Sequence, residues 1–496
     1  MNRARLGHLA GLGGGALVLG MTLVLVRGEP NATSDQGVFL SIAARMLDGD
    51  RLYADVVDNK DPFFFYTYAG ALWAGGWRAP AALDGLWFAL AAVSIVVLLR
   101  ELDAPRPAVV ASFFVYPLSL TGWWYEPGLS MLAGLAIAPL VGWLWLRERF
   151  VASGVVLGTA ILFKLSIALV IGAPLVAFLL LGAPAGSRLR HTTKAAVGFL
   201  TLVGLTGVFL AARGELRAYL DVLHFNVRYP DGALRTMGSD GLGAHLDVVR
   251  EFFLAAGKWQ APAAVLAVGA FVVAFFVGRT KGGRAFQLLA VVTAATLVAA
   301  LGTLGLTAIW VHHLQMLSYP AALIAAAVVA ALSVSYGQRA GFVAAAVCVG
   351  FALWSSVKHE PDFGVPPAWS ASPVSVPADL LEAARNRFYG GASSVTYMVL
   401  GGNSENAHAV FIDDAFELSC RWFHLYPTNV EEQFSETLDC ANEERPMLVL
   451  VTLGFFDDRP ATPDWRAFVA EARRLLDSRY ELVSEAYPGF QVWRLS

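Results

Sequence analysis

Eleven apolar segments succeed one another through the first 356 residues, near 7–26, 82–99, 108–124, 128–146, 150–163, 165–183, 195–212, 261–278, 285–308, 314–334 and 340–356. In hydrocarbon the backbone must satisfy its own amides, so apolar segments of this length become helices. Composition agrees. Hydrophobic residues make up 56% of the 496 and charged residues 15%, against roughly 25% charged in an ordinary soluble domain. Mean hydropathy is +0.56. The expectation is a polytopic α-helical membrane protein with about eleven transmembrane helices; a nucleic-acid binder, a disordered chain and a wholly soluble enzyme are excluded.

The short connections between these segments carry the charge bias that sets orientation. Arg3 and Arg5 precede the first segment, whose apolar core exceeds a signal peptide's and lacks an A-x-A site, so it reads as an uncleaved anchor. With the N-terminus inside, the inner loops hold Arg100 and Arg106, then Arg147 and Arg149. Arg188, Arg190 and Lys194 follow, then Arg279, Lys281 and Arg284, and finally Arg339. The long polar segments 27–62 and 213–259 fall on the opposite face. Residues 63–78 are aromatic and too short to span about 30 Å at 1.5 Å per residue, so they are expected to lie in the interface. Residues 36–48 form a second such helix, making 27–81 a first outer loop of two juxtamembrane helices around a polar turn.

Charge also divides the chain. Residues 1–356 carry a net +7 and residues 357–496 a net −10. A linker rich in Pro and Ser (357–377) leads to a domain over 378–496, with helical periodicity at 378–389. Strand-like runs follow at Val395–Leu400, Met447–Val451 and Tyr480 through Trp493, with a helix at Asp464–Leu476. This predicts a small extracytoplasmic α/β domain. Cys420 and Cys440 lie within it, and an oxidising compartment would allow them to pair. No zinc spacing or Gly-rich phosphate loop is present.

The densest polar cluster is in the first outer loop: Asp35, then Asp48, Asp50, Asp55, Asp58, Lys60 and Asp61. Read blandly, it is a solvated loop in which Ser34 or Asp35 caps a helix. Two charges elsewhere on the outer face argue for more. Glu126 stands between apolar segments, and Lys164 interrupts Ile161-Leu162-Phe163 and Leu165-Ser166-Ile167. A charge at membrane depth costs about 2.5–3.5 kcal/mol and usually faces a cavity or a partner. With six lysines against 30 arginines, Lys60 and Lys164 on one face stand out, although Lys164 could snorkel and Glu126 could cap. His312 and His313 sit at another outer helix end. The loop His224 to Tyr229, with Arg228 and Tyr229, offers hydrogen-bonding groups.

Taken in order, these motifs resemble the GT-C superfamily of membrane glycosyltransferases, nearest the branch of protein O-mannosyltransferases and lipid A aminoarabinose transferases. The matching residues are Asp35-Gln36-Gly37, Gly49-Asp50-Arg51-Leu52-Tyr53, Lys60-Asp61-Pro62-Phe63-Phe64-Phe65-Tyr66, Glu126-Pro127, Gly158 through Lys164, and His313-Leu314-Gln315 near Pro320. The likeness covers residues 7–335, within a transmembrane domain of 1–356. It implies sugar transfer from a polyprenyl-phosphate donor to a cell-envelope acceptor, among membrane lipids and outside the plasma membrane.

The resemblance assigns Asp35 as general base for the acceptor hydroxyl. Lys60 and Lys164 would hold the departing lipid phosphate. Glu126 would support Asp35 or ligate a divalent cation if one is used. Tyr53, Asp61, Tyr66, Arg228, Tyr229, His312 and His313 are candidate substrate contacts. The competing reading is a non-catalytic transporter or flippase of lipid-linked intermediates, or an inactive scaffold. A transporter is expected to carry internal repeats, and none is evident.

Overall fold

The computed structural model describes residues 3–27, 35–76, 79–122, 130–182, 185–236, 268–276, 278, 283–307, 311–358, 395–401, 416–421, 431–452, 455–456, 463–487 and 490–496. The chain forms two compact units, both discontinuous in sequence. One comprises Met1–Glu29, Ala81–Thr206 and His245–Pro367; the other comprises Pro30–Pro80, Gly207–Ala244 and Ala368–Ser496.

The first unit is a helical bundle. Its helices are α1 (Arg3–Arg27), then α4 (Ala79–Glu101), α5 (Arg106–Gly122), α6 (Ser130–Leu146), α7 (Phe150–Phe163), α8 (Ala168–Gly182) and α9 (Ala185–Ala212), whose last residues fall in the second unit. After a helical stretch at 268–276 come α11 (Gly283–Thr307), α12 (Ser318–Tyr336) and α13 (Gln338–Lys358). Each of the eleven apolar segments thus overlaps a helix. Among the described residues, five helices are long and apolar enough to cross a bilayer: Ala79–Glu101, Gly186–Ala212, Gly283–Leu304, His313–Tyr336 and Gln338–Ser356. Shorter apolar helices include Ser130–Leu146 and Phe150–Phe163.

With lipid as apolar as leucine, such helices associate through close backbone approach and buried hydroxyls. A Cβ on Gly154 would lie 1.9 Å from the Ala195 carbonyl oxygen, and one on Gly198 2.0 Å from that of Val151, so α7 and α9 touch backbone to backbone. Ser94 donates to the Ala136 carbonyl at 2.7 Å and Ser153 to that of Val141 at 2.8 Å, both tying neighbours to α6. Arg147 pairs with Glu101 at 2.5 Å, and His191 stacks on Phe150 at 4.1 Å. The ends of α4 and α6 thus meet through one contact, and those of α7 and α9 through the other. Near Lys164 the expected interruption is present: α7 stops, Lys164 is extended (φ −160°, ψ 108°), and a 3-10 turn, Leu165–Ile167, leads into α8.

The second unit gathers α2 (Asp35–Asp48), α3 (Pro62–Gly75), α10 (Leu216–Thr236) and the C-terminal domain. Both expected helices of the first outer loop form, and Phe39 of α2 packs edge-on against Phe64 at 4.8 Å and Phe65 at 6.0 Å. Gly76, at φ +63°, ends α3 in a conformation that favours glycine. Phe64, Phe65 and Tyr68 are consequently buried, whereas Trp73 is 80% exposed. Residues 216–236 correct the sequence reading, which left His224 to Tyr229 as a loop: they are helical. Tyr219, Val222 and Phe225 recur at helical spacing and are buried, while His224 is exposed on the other side.

The C-terminal sheet has five strands in the order β2-β1-β3-β5-β4. Strands β1 (Val395–Leu400), β2 (Phe416–Leu418) and β3 (Leu448–Thr452) are parallel; β4 (Tyr480–Tyr487) and β5 (Phe490–Leu495) pair antiparallel, as do β5 and β3. Helices α14 (Glu431–Glu444) and α15 (Pro463–Arg479) cover it. Phe434 stacks on Phe468 at 4.7 Å beside Trp465. The expected α/β composition is present, and β2 and α14 add elements the sequence did not announce. The linker and the expected helix at 378–389 lie outside the described residues.

Candidate functional site

The polar turn between α2 and α3 is built inward. Tyr53 has a left-handed backbone (φ 67°), unusual for a bulky residue, and is fully buried. Its amide donates to the Val56 carbonyl at 2.7 Å, and its ring lies 5.1 Å from that of Tyr219. Its hydroxyl donates to the Lys60 carbonyl at 2.8 Å. Burial, followed by the neighbouring Tyr219, pushes the Tyr53 phenol well above its ordinary range.

Lys60 follows at the end of this turn and is 8% exposed. Its ammonium donates to Asn59 Oδ1 at 2.7 Å, sits 3.6 Å from Asp58 Oδ1, and lies 5.0 Å from the centre of the Phe39 ring. The Lys60 amide donates to the same Asp58 oxygen at 3.0 Å. Asp61, next in sequence and also buried, accepts from the Tyr219 hydroxyl at 3.0 Å. Burial first, and then the Asp61 carboxylate, raise the Tyr219 phenol.

Helix α10 supplies the wall. Glu215, directly before it, is fully buried and accepts from the Leu52 amide at 3.2 Å, the Tyr66 hydroxyl at 2.5 Å and Arg213 Nε at 2.7 Å. Tyr66 is raised chiefly by burial and next by this carboxylate. Asn226 donates to the Asn59 carbonyl at 2.9 Å. On the rim, Asp55 accepts from the Arg51 amide at 2.8 Å and from Nε and Nη2 of its guanidinium at 2.9 and 2.8 Å. These bonds hold the Asp55 carboxyl below its ordinary range.

Of the residues singled out by sequence, the structure brings Tyr53, Lys60, Asp61 and Tyr66 together in this turn. Lys164 and His313 belong to the helical unit, His313 buried in a 3-10 segment, Val311–Leu317. Asp35 is the first residue of α2, Arg228 and Tyr229 lie in α10, and His312 lies beside His313; their side chains fall outside the described residues, as does Glu126 altogether. Glu215, Tyr219, Arg421 and Glu436 were missed, and Asn226 was read only as part of a loop. The α10 residues had a readable signal, because Glu215, Tyr219, Val222 and Asn226 fall on one helical face. Among the described residues no three His, Cys, Asp or Glu side chains come together to hold a metal.

No family model matches the sequence. No curated protein matches it either. Among solved structures the chain is similar to the arabinofuranosyltransferase AftD from Mycobacteria, determined by single-particle cryo-EM, with a TM-score of 0.54 and 14% sequence identity. The similarity covers all of this chain and 40% of that one. At this identity the likeness is one of fold.

Proposed function

We propose that this chain is a membrane glycosyltransferase that moves one sugar from a polyprenyl-phosphate donor to a cell-envelope acceptor on the outer face of the membrane. The observation that carries the reading is the fold likeness to an arabinofuranosyltransferase along the whole chain. The order of outer-face motifs, from Asp35 through Lys60 to Lys164, supports it independently. The Cys420–Cys440 disulfide supports an extracytoplasmic tail, since such bonds persist in oxidising compartments.

In this reading the anomeric carbon acquires oxocarbenium character as the phosphate departs and the acceptor hydroxyl loses its proton. Asp35 takes that proton. Lys60 and Lys164 stabilise charge growing on the lipid phosphate, which is stronger in the transition state than in the bound donor. Lys60 is already held beside Asp58 and Asn59, so the phosphate must share it with them. Glu126 supports the surroundings of Asp35. Tyr53, Asp61 and Tyr66 have polar atoms engaged within the protein and serve by shaping the turn, while Arg228, Tyr229, His312 and His313 remain candidates for the sugar or acceptor.

Purified protein given labelled donor and envelope acceptor is expected to release free polyprenyl phosphate, which a transporter or scaffold has no reason to do. Asp35→Asn keeps size and hydrogen bonding but removes basicity, so turnover is expected to fall about 10²–10⁴-fold with donor binding little changed. Lys60→Ala should weaken donor binding as well as turnover. Near-normal turnover in Asp35→Asn makes Asp35 a helix cap and ends its assignment as base.

A further inference from the structure

The turn that carries Lys60 is gripped by a residue more than 350 positions later. Arg421 follows β2 and a disulfide-bonded cysteine. Its carbonyl accepts the Val57 amide at 2.8 Å, and its Nη1 donates to the Tyr53 carbonyl at 3.4 Å. Tyr53 and Val57 bound a short stretch, and the Tyr53 hydroxyl in turn donates to the Lys60 carbonyl at 2.8 Å. Arg421 is itself fixed twice to α14. Its guanidinium pairs through two nitrogens with both Glu436 carboxylate oxygens, the second at 2.7 Å. Cys420, one residue earlier, is bonded to Cys440, one helical turn beyond Glu436. Fork-to-fork pairing of this kind fixes direction as well as distance.

We propose that Arg421 is a positioning residue for Lys60, and that bracing this turn is a task of the C-terminal domain. The argument is one of conformational cost. A tyrosine at φ 67° is strained, and such residues persist only where their surroundings over-determine them. Tyr53 is constrained by Val56 through its amide, by Tyr219 through its ring, by Lys60 through its hydroxyl and by Arg421 through its carbonyl. Truncating the Arg421 side chain withdraws its bond to the Tyr53 carbonyl, the hold on the strained residue itself, and leaves only the backbone bond from Val57 to the Arg421 carbonyl. The turn can then relax, and the Lys60 ammonium loses its fixed place beside Asp58 and Phe39. The consequence for sugar transfer rests on the reading of Lys60 as a phosphate ligand; the bracing itself does not.

The test uses full-length protein in detergent, with a water-soluble lysine-acylating ester as probe and mass spectrometry reading each site, exposed Lys194 serving as internal reference. R421A is expected to speed acylation of Lys60 about tenfold relative to Lys194, the change that loss of a buried carbonyl's partner would allow. R421K, which keeps one charged donor, should restore much of the protection. Y53F removes only the hydroxyl on Lys60 and should also speed acylation, which keeps the test usable if R421A fails to fold. In the donor assay, KM for the polyprenyl-phosphate sugar should rise more than kcat falls. Unchanged Lys60 acylation in a folded, disulfide-bonded R421A, or in Y53F, overturns the proposal. Faster acylation with unchanged donor KM upholds the brace and instead removes Lys60 from the donor site.

Discussion

The two units of this protein are held together by opposite means. In the helical unit, neighbours meet through small residues and single hydroxyl-to-carbonyl bonds, as where Gly154 and Gly198 let α7 and α9 touch. In the other, segments from three distant parts of the chain converge on buried charge: Glu215 takes three donors, Asp61 one from Tyr219, and Arg421 reaches the 53–57 turn. A bundle in lipid gains little from burying apolar surface between helices, so shape fit decides. A polar turn cannot close without satisfying every amide and hydroxyl that it buries. Shape failures should therefore dominate in the first unit and unpaired polar groups in the second.

The strongest break expected is in the bundle. Gly198→Ala puts a Cβ 2.0 Å from the Val151 oxygen, where backbone cannot yield as a flexible side chain would. The helices must part, at about 3 kcal/mol. Gly172→Ala, in the same unit, meets nothing within 4 Å and should be neutral or slightly stabilising. Thermal unfolding in detergent separates the two; equal melting temperatures would dissolve the shape argument.

In the polar unit the corresponding variant is Glu215→Ala. It leaves the Leu52 amide and Tyr66 hydroxyl without their acceptor, at about 2–3 kcal/mol once partly exposed Arg213 is discounted. Hydrogen exchange should show loss of protection at Leu52 with the bundle unaffected. A uniform loss across both units would mean that Glu215 supports the whole fold instead.

This contrast also explains what the sequence disclosed. Bundle helices were legible because each is specified locally, by apolar length and by charges such as Arg100 and Arg147 at its ends. The break at Lys164 was legible for the same reason. The α2 and α3 helices announced themselves through the segment 36–48 and the aromatic run 63–78. The distant partner of Tyr53 was not legible, since Arg421 becomes its neighbour only through a sheet edge and a disulfide, and nothing in its own surroundings marks it. Helix α10 was in between: its buried face repeats at helical spacing, but its polar residues disguised it as a loop. Local order is written locally, whereas a closed polar turn is written in residues hundreds of positions apart.

A smaller effect is expected at the disulfide. Cys420→Ser opens a closed loop of 20 residues, and loops of this size are worth about 3 kcal/mol in the chain-entropy account. Because the Arg421–Glu436 pair still fastens the same strand end to α14, the observed loss should be nearer 2 kcal/mol. A gel-mobility shift on reduction checks that the bond is present; free thiols in protein purified without reductant would remove it from the account.

The smallest effect is a pH dependence at the rim of the turn. Asp55 accepts three hydrogen bonds from Arg51, first among the causes that hold its carboxyl below the ordinary value of 3.8. The folded state therefore binds this proton less readily than the unfolded chain. The stability it supplies is complete above that ordinary value and is lost as pH falls through the lower folded one. Both side chains are substantially exposed, Arg51 at 52% and Asp55 at 34%, so salt should screen the pair. Asp55→Asn should flatten the acid limb of the unfolding curve slightly at low salt and leave it unchanged at high salt. A large loss at neutral pH would mean that the rim, like the buried part of the turn, depends on charge that solvent cannot replace.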